Sequence, residues 1–401
     1  MQKKKNFGPN NPSKIPCMHL RFLLLVSLSF VFSALCAQDT TSTSFGNGLI
    51  NVVAKDSSWS TKSTFRVQTQ YEGVLTDDNS YTDRYRVRRG RIKGNGWVGK
   101  DQKIKYKYEY DMVNGQVLDA VLRYEFAKNW EIWIGQTKLP GNIERVISSQ
   151  SLQLVDRSIL NARFNLDRDG GLQLHHTHFL GSVMVKEKLA FSQGEGLNST
   201  NKSKGSSYTA RLEIFPFGNF EKARGEYKSS DLRRTKTPKL MLGFVFDHNE
   251  QAIRSQGHIG SYFSNASRNL ATVMADAHLK YKGLSIMLEY AQRYAENSSP
   301  VIAPIEDDHG TILVPGAVFY TGYAANAQAG YLFKSFWEIA GRFTMLRPED
   351  QLLEDNKEQY TLGVSRYVYG HNLKIQTDAS LLQEANGSSE VMFRLQTEFT
   401  F

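Results

Sequence analysis

Residues 103–111 read KIKYKYEYD, and their side chains alternate without a break. In an extended chain Lys103, Lys105, Lys107, Glu109 and Asp111 share one face, and Ile104, Tyr106, Tyr108 and Tyr110 share the other. A 3.6-residue period would scatter both sets around a helix, so this is a strand with one polar and one apolar side. Residues 64–71 repeat the pattern, with Phe65, Val67, Thr69 and Tyr71 opposite Arg66, Gln68 and Gln70. So do Leu240, Leu242, Phe244 and Phe246, then Leu284, Ile286, Leu288 and Tyr290. The period predicts sixteen strands, near 64–72, 84–98, 103–112, 117–126, 130–137, 170–177, 180–193, 206–215, 239–248, 269–281, 283–293, 320–332, 335–345, 358–368, 372–382 and 390–401. Many reach the roughly 9–11 residues that a tilted strand needs to cross a bilayer.

The links between these strands alternate in length. Those at 99–102, 127–129, 178–179, 282, 333–334 and 369–371 are short. Those at 73–83, 138–169, 194–205, 249–268, 294–319, 346–357 and 383–389 are mostly longer, although 113–116 is short. Short turns at one end and long loops at the other mark an outer-membrane β-barrel. One link breaks the scheme: 216–238 belongs to the short-turn end but is long and charged. Trp97, Trp130, Trp337 and Tyr367 near strand ends suit interfacial girdles. A soluble β-sandwich also alternates, but it rarely needs so many long strands with this two-sided asymmetry.

The two ends of the chain agree. Leu20–Ala37 reads LRFLLLVSLSFVFSALCA, apolar, preceded by basic residues and closed by small ones, which is the pattern of a secretory signal. The expected divisions are a signal peptide at 1–37, a short periplasmic segment at 38–63 and the barrel at 64–401. Met18 is an alternative start. Cys17 and Cys36 both precede Gln38, so the mature chain has no thiol for disulfides, metal thiolates or cysteine catalysis. Five of the 49 Lys and Arg also precede Gln38 and no acidic residue does, which leaves 44 basic against 40 acidic side chains. That balance does not suit a nucleic-acid binder. The last strand ends VMFRLQTEFTF, with Phe401 terminal and Val391, Phe393, Leu395 and Phe399 on its face. It resembles the strand that the barrel-assembly machinery recognises.

The densest basic cluster is YRVRRGRIKGNGW at 85–97. Alternation puts Arg89, Arg91 and Lys93 on one face. A charge facing lipid costs about 2–4 kcal/mol at the midplane, so that face should be luminal. Lys103, Lys105 and Lys107 would stand beside it, and two basic stripes in a low-dielectric wall raise local anion concentration. The plainer reading is that carboxylates such as Glu109, Asp111, Asp119 and Glu125 neutralise them. Segment 138–169 is long enough to be functional and to narrow the pore. Lys138, Arg145, Arg157, Arg163 and Arg168 are its bases, against four acids. His175, His176 and His178 alternate across a strand, which makes a three-histidine metal site awkward and a polar strand end the simpler reading. No GxSxG, HExxH, P-loop or Rossmann fingerprint is present.

Several stretches resemble the phosphate-selective porin O and P family. Arg88-Arg89-Gly90-Arg91-Ile92 is similar to its double-arginine strand. Leu118-Asp119-Ala120, then Gly135-Gln136-Thr137-Lys138-Leu139-Pro140 and Glu144, resemble its approach to the third loop. Asp167-Arg168-Asp169-Gly170-Gly171-Leu172-Gln173-Leu174 resembles the return. Gly194-Glu195-Gly196-Leu197-Asn198, Ala210-Arg211-Leu212 and Pro216 fit the next strand pair. The resemblance implies an all-β, transmembrane antiparallel barrel of about sixteen strands, commonly trimeric, with the third extracellular loop folded inward. It implies an anion-selective route for small solutes such as phosphate, needing no cofactor or catalytic residue. The expected partners are these solutes, outer-membrane lipid and, through Phe401, the assembly machinery. A channel specific for another nutrient and a non-conducting structural barrel are the alternatives.

Overall fold

The computed structural model describes residues 45, 46, 48–200, 205–220, 224–295, 299–306, 312–314 and 316–401, so the expected signal peptide lies outside the described residues. Sixteen antiparallel strands form the wall: β1 Ser60–Thr76, β2 Tyr81–Val98, β3 Ile104–Asp111, β4 Gln116–Ala127, β5 Trp130–Lys138, β6 Arg168–Leu180, β7 Val183–Ser192 and β8 Ser207–Phe215, followed by β9 Lys239–Ala252, β10 Arg268–Tyr281, β11 Leu284–Ala295, β12 Gly322–Leu332, β13 Trp337–Pro348, β14 Lys357–Tyr369, β15 Leu373–Glu384 and β16 Ser389–Thr400. Each pairs with its neighbours in sequence, and β1 pairs with both β2 and β16, which closes the sheet. Closure removes the free edge that an open sheet this wide would expose. A short strand, Ile50–Val53, extends the start of β1 by pairing Ile50 with Ser63.

The two faces differ as the alternation requires. Tyr108, Leu122, Ile134, Leu189, Phe244, Leu288, Ile339, Leu362 and Phe393 are exposed on the outside, while Glu109, Asp119, Arg211, Asp276, Glu289 and Glu398 are buried on the inside. Because a Lys or Arg turned to lipid at the midplane would cost about 2–4 kcal/mol, the register of each strand is strongly specified.

Four local expectations are corrected. The turn between β6 and β7 is Gly181–Ser182, not 178–179. Two-residue hairpins need a left-handed residue, and Gly181 supplies it at φ 64°. Tyr367 does not join an interfacial girdle; it is 1% exposed and donates to Glu338 Oε2 at 2.5 Å inside the barrel. Trp97 shares the luminal parity of Arg91 and Lys93, whereas Trp130 and Trp337 face outward as expected. Lys103 lies before β3, exposed at the turn end.

Two segments cover the inner wall. Between β5 and β6 the chain forms helices α1, Ile143–Val146, and α2, Ile159–Phe164. Ser158 caps α2 by accepting from Asn161 N at 3.1 Å, and Glu144 accepts from Ser158 N and Oγ at 3.0 and 2.5 Å. The segment is pinned to luminal side chains: Ile143 N donates to Asp276, Glu144 N to Glu289 and Val155 N to Asp378. Leu139, Leu160, Phe164 and Leu166 pack on Val245, Met274, Ala291 and Leu346.

The anomalous link between β8 and β9 also lies on the inner face. Phe220 and Tyr227 pack with Ile143, Ile147 and Leu152 against Met184, Met241 and Met287. Glu226 pairs with Lys186 at 2.9 Å, and the carbonyls of Gly225 and Ser230 accept from Lys280 at 3.0 and 2.8 Å. The two inner segments meet where Ser229 N donates to Ser151 O at 3.0 Å.

Candidate functional site

Strand β2 contains a bulge that strict alternation does not anticipate. Gln68 pairs with Arg89 but Thr69 pairs with Val87, so Arg88 is the extra residue. A bulge reverses side-chain parity beyond it. Arg89, Arg91 and Lys93 are luminal on one side of it, and Arg84, Arg86 and Arg88 on the other. Val87 and Tyr85 turn outward instead. The bulge thus builds a nearly continuous basic row from residues that share no single parity.

The row is only partly neutralised. Arg84 and Arg86 both reach Glu72, with Arg86 at 3.4 Å, and Arg88 and Arg89 reach Asp156 at 3.1 and 3.3 Å. Four guanidinium groups therefore share two carboxylates. The side chains of Arg84, Arg86 and Arg88 are 56%, 33% and 31% exposed, so this excess charge faces water. Burial alone would raise Asp156, but Arg89 and Arg88 overcome it and hold the carboxyl far below the usual carboxylate range.

Deeper in, the charges are matched. Glu109 takes Arg91 at 2.8 Å, with Lys107 at 3.9 Å and Arg168 at 3.7 Å. Asp119 takes Arg168 at 3.0 Å and Lys107 at 2.5 Å. Lys105 lies between Glu125 and Glu131 at 3.3 and 3.5 Å. The Lys93 side chain has no hydrogen bond or ion pair among the described residues, although its backbone lies in the ladder opposite Thr64 and Glu109. Arg123 was not anticipated; its guanidinium stacks over Trp133 at 3.9 Å.

The bases of segment 138–169 hold that segment together. Lys138 donates to the carbonyls of Arg145, Val146 and Ile147 at 2.6, 3.2 and 3.3 Å, closing the C-terminal end of α1. Arg157 donates to the carbonyls of Glu144 and Ile147 at 2.9 and 2.8 Å. Arg145 pairs with Asp167, and Arg163 pairs with Glu354 at 3.0 Å beside the Tyr320 ring. The expectation of a common anion-binding group among these residues meets a geometry in which most of their donors are already used. Apolar residues on the luminal parity, such as Met241, Val245, Met274 and Met287, were the overlooked signal that something packs inside.

The histidines divide by face. His175 is luminal and stacks on Trp133 with centroids 4.1 Å apart. His176 and His178 point outward, and with Glu187 their ligand atoms lie within 4.8 Å of one another.

The family model for phosphate-selective porin O and P matches residues 62–392. Solved structures with the same fold include an anion-selective porin from Comamonas acidovorans, at TM-score 0.52 and 11% identity, covering 86% of this chain and 100% of that one. The outer membrane channel DcaP of Acinetobacter baumannii has TM-score 0.53 and 12% identity, with 88% and 100% covered. The trimer form of OmpT from Vibrio cholerae has TM-score 0.50 and 11% identity, with 85% and 99% covered. No curated protein matches the chain. A closed sixteen-stranded barrel with a charged inner wall, matched by that model over most of its length, places the protein in the outer membrane of a Gram-negative bacterium as a channel and not an enzyme; the chain belongs to the phosphate-selective porin O and P family.

Proposed function

We propose that this porin passes small hydrophilic solutes by diffusion with a preference for anions, and that phosphate is the solute to test first. The observation that carries the reading is the row Arg84, Arg86, Arg88 and Arg89, where four cations share Glu72 and Asp156 on a water-facing wall. A fixed excess of positive charge beside low-dielectric walls concentrates anions locally. A solute would pass this row to the constriction formed by segment 138–169 and then meet Lys93, Lys105, Lys107 and Arg123 on the wall. Arg91, Lys138, Arg145, Arg157, Arg163 and Arg168 would act mainly by fixing the shape of the path, since their donors are occupied. In the same reading residues 1–37 are a cleaved signal, the strand ending at Phe401 engages the assembly machinery, and the barrel works as a homotrimer. The trimeric OmpT structure supports the last point by likeness of fold.

Single-channel recording in planar bilayers tests the proposal. Step-like conductance with a reversal potential favouring the anion in a salt gradient is expected. Absence of steps would overturn conduction, and cation preference would overturn anion selectivity. Current unaffected by millimolar phosphate would leave a general anion pore.

A further inference from the structure

We propose that His176, His178 and Glu187 form a binding site for a divalent late transition ion on the outer wall of the barrel, at the end that carries the short turns. His176 and His178 are two apart on β6, so their rings share a face, stacked with centroids 5.1 Å apart. Glu187 on β7 is the cross-strand partner of His176. The hairpin joining the two strands closes at Gly181–Ser182, so both backbones that carry the donors are held in fixed register.

The donor set selects the ion class. Two imidazoles and one carboxylate suit Zn2+, Ni2+ or Cu2+ rather than Mg2+ or Ca2+, which take oxygen ligands. His176 Nδ1 lies 2.7 Å from Glu187 Oε2. His178 Nδ1 lies 3.8 Å from the same oxygen; this nitrogen is buried and makes no hydrogen bond among the described residues. A buried ring nitrogen aimed at a carboxylate without bonding it is an incomplete contact, and an ion between the three groups would complete it. Metal bonds of about 2.0–2.2 Å in a tetrahedron separate ligand atoms by about 3.4 Å, so the 2.7 Å pair must open and the other close by small rotations. The side chains of His176, His178 and Glu187 are 20%, 31% and 46% exposed, so an ion can reach them. Trp130 stacks on His176 with centroids 3.9 Å apart, which limits the rotation of that ring. Three protein ligands leave a fourth position open to water at the level of the interfacial aromatics.

Trp130 also provides a reporter. The full barrel, purified without a histidine tag in detergent micelles, is titrated with Ni2+ or Cu2+ while tryptophan fluorescence is followed, and Zn2+ uptake is counted by equilibrium dialysis. One ion per chain is expected, with quenching that disappears in Trp130→Phe although uptake remains. His178→Ala leaves the Trp130 stack intact and should weaken binding by at least the roughly tenfold that even indirect changes to a metal site cost. Glu187→Gln should weaken it similarly. Retained single-channel conductance shows that these variants are folded. No uptake by the native barrel, or equal affinity in His178→Ala, would overturn the site.

Discussion

Arg88 and Arg89 are adjacent in sequence and both bind Asp156, which an unbroken strand cannot arrange because neighbouring side chains point to opposite faces. The single extra residue brings Arg84 and Arg86 into the lumen. Replacing both by glutamate should lower the anion-over-cation permeability ratio by roughly an order of magnitude at low salt. The loss should shrink at high salt, where the row is screened; reversal potentials at two ionic strengths check both. Sequence alternation put Arg89, Arg91 and Lys93 on one face, but it could not locate the bulge. A bulge is decided by how two strands fit each other, and neither strand carries that information alone. Glu195, in the loop after β7, is a second residue whose role is positional. Its Oε2 is buried and has no hydrogen-bond partner among the described residues. Burial pushes its carboxyl up to about 7, with Asp169 adding to the shift and Arg254 opposing it. The folded state then holds a proton that the unfolded chain releases near 4.5, so stability should fall as pH rises from about 4.5 to 7. Glu195→Gln should remove that slope and be the more stable form at pH 8, as read by thermal midpoints at pH 5 and pH 8.

The element that departs most from barrel rules is the link between β8 and β9. Its length was visible in sequence as an exception to the short-turn end, but its position was not. It is held inside by Lys186, Lys280 and Tyr227 and touches segment 138–169 at Ser151. Replacing residues 219–235 with a short turn should raise single-channel conductance, because a buried obstacle leaves the lumen. Unchanged conductance would show that the segment lies beside the conducting path. A glycine in β5, within the family-like stretch, shows a constraint at the level of one strand. Gly135 has φ 123°, and a Cβ there would lie 2.2 Å from the carbonyl oxygen of Ala120. Gly135→Val should therefore destabilise the barrel by about 2–3 kcal/mol through strain and clash, measurable as a lower urea midpoint.

For the molecule as a whole, the decisive event is closure, and one carboxylate stands at the seam. Glu398 on β16 accepts from Arg66 Nε at 2.6 Å and from Gln68 at 2.7 Å on β1, with Lys374 of β15 at 3.8 Å. Arg66, Lys374 and Glu398 are fully buried. Glu398→Ala would leave two buried cations without their carboxylate and should cost about 3–5 kcal/mol. Glu398→Gln keeps one acceptor oxygen for Arg66 and should cost less; denaturation of both in micelles makes the comparison. The amino-acid sequence by itself determined the strand class, the number of wall strands, the two-faced chemistry and nearly every strand position. Those follow from a two-residue period and from the high cost of putting charge into lipid, both local in the chain. It also put Arg89, Arg91 and Lys93 on one face, but the bulge that adds Arg84, Arg86 and Arg88 was not legible in it. Tertiary structure alone decided which cations remain unpaired, because Asp156 arrives from a segment 67 residues away from Arg89. It likewise decided that two connections occupy the inner wall and that His176, His178 and Glu187 converge outside. Such outcomes depend on which strands become neighbours and which polar groups meet, and only the closed barrel sets those distances.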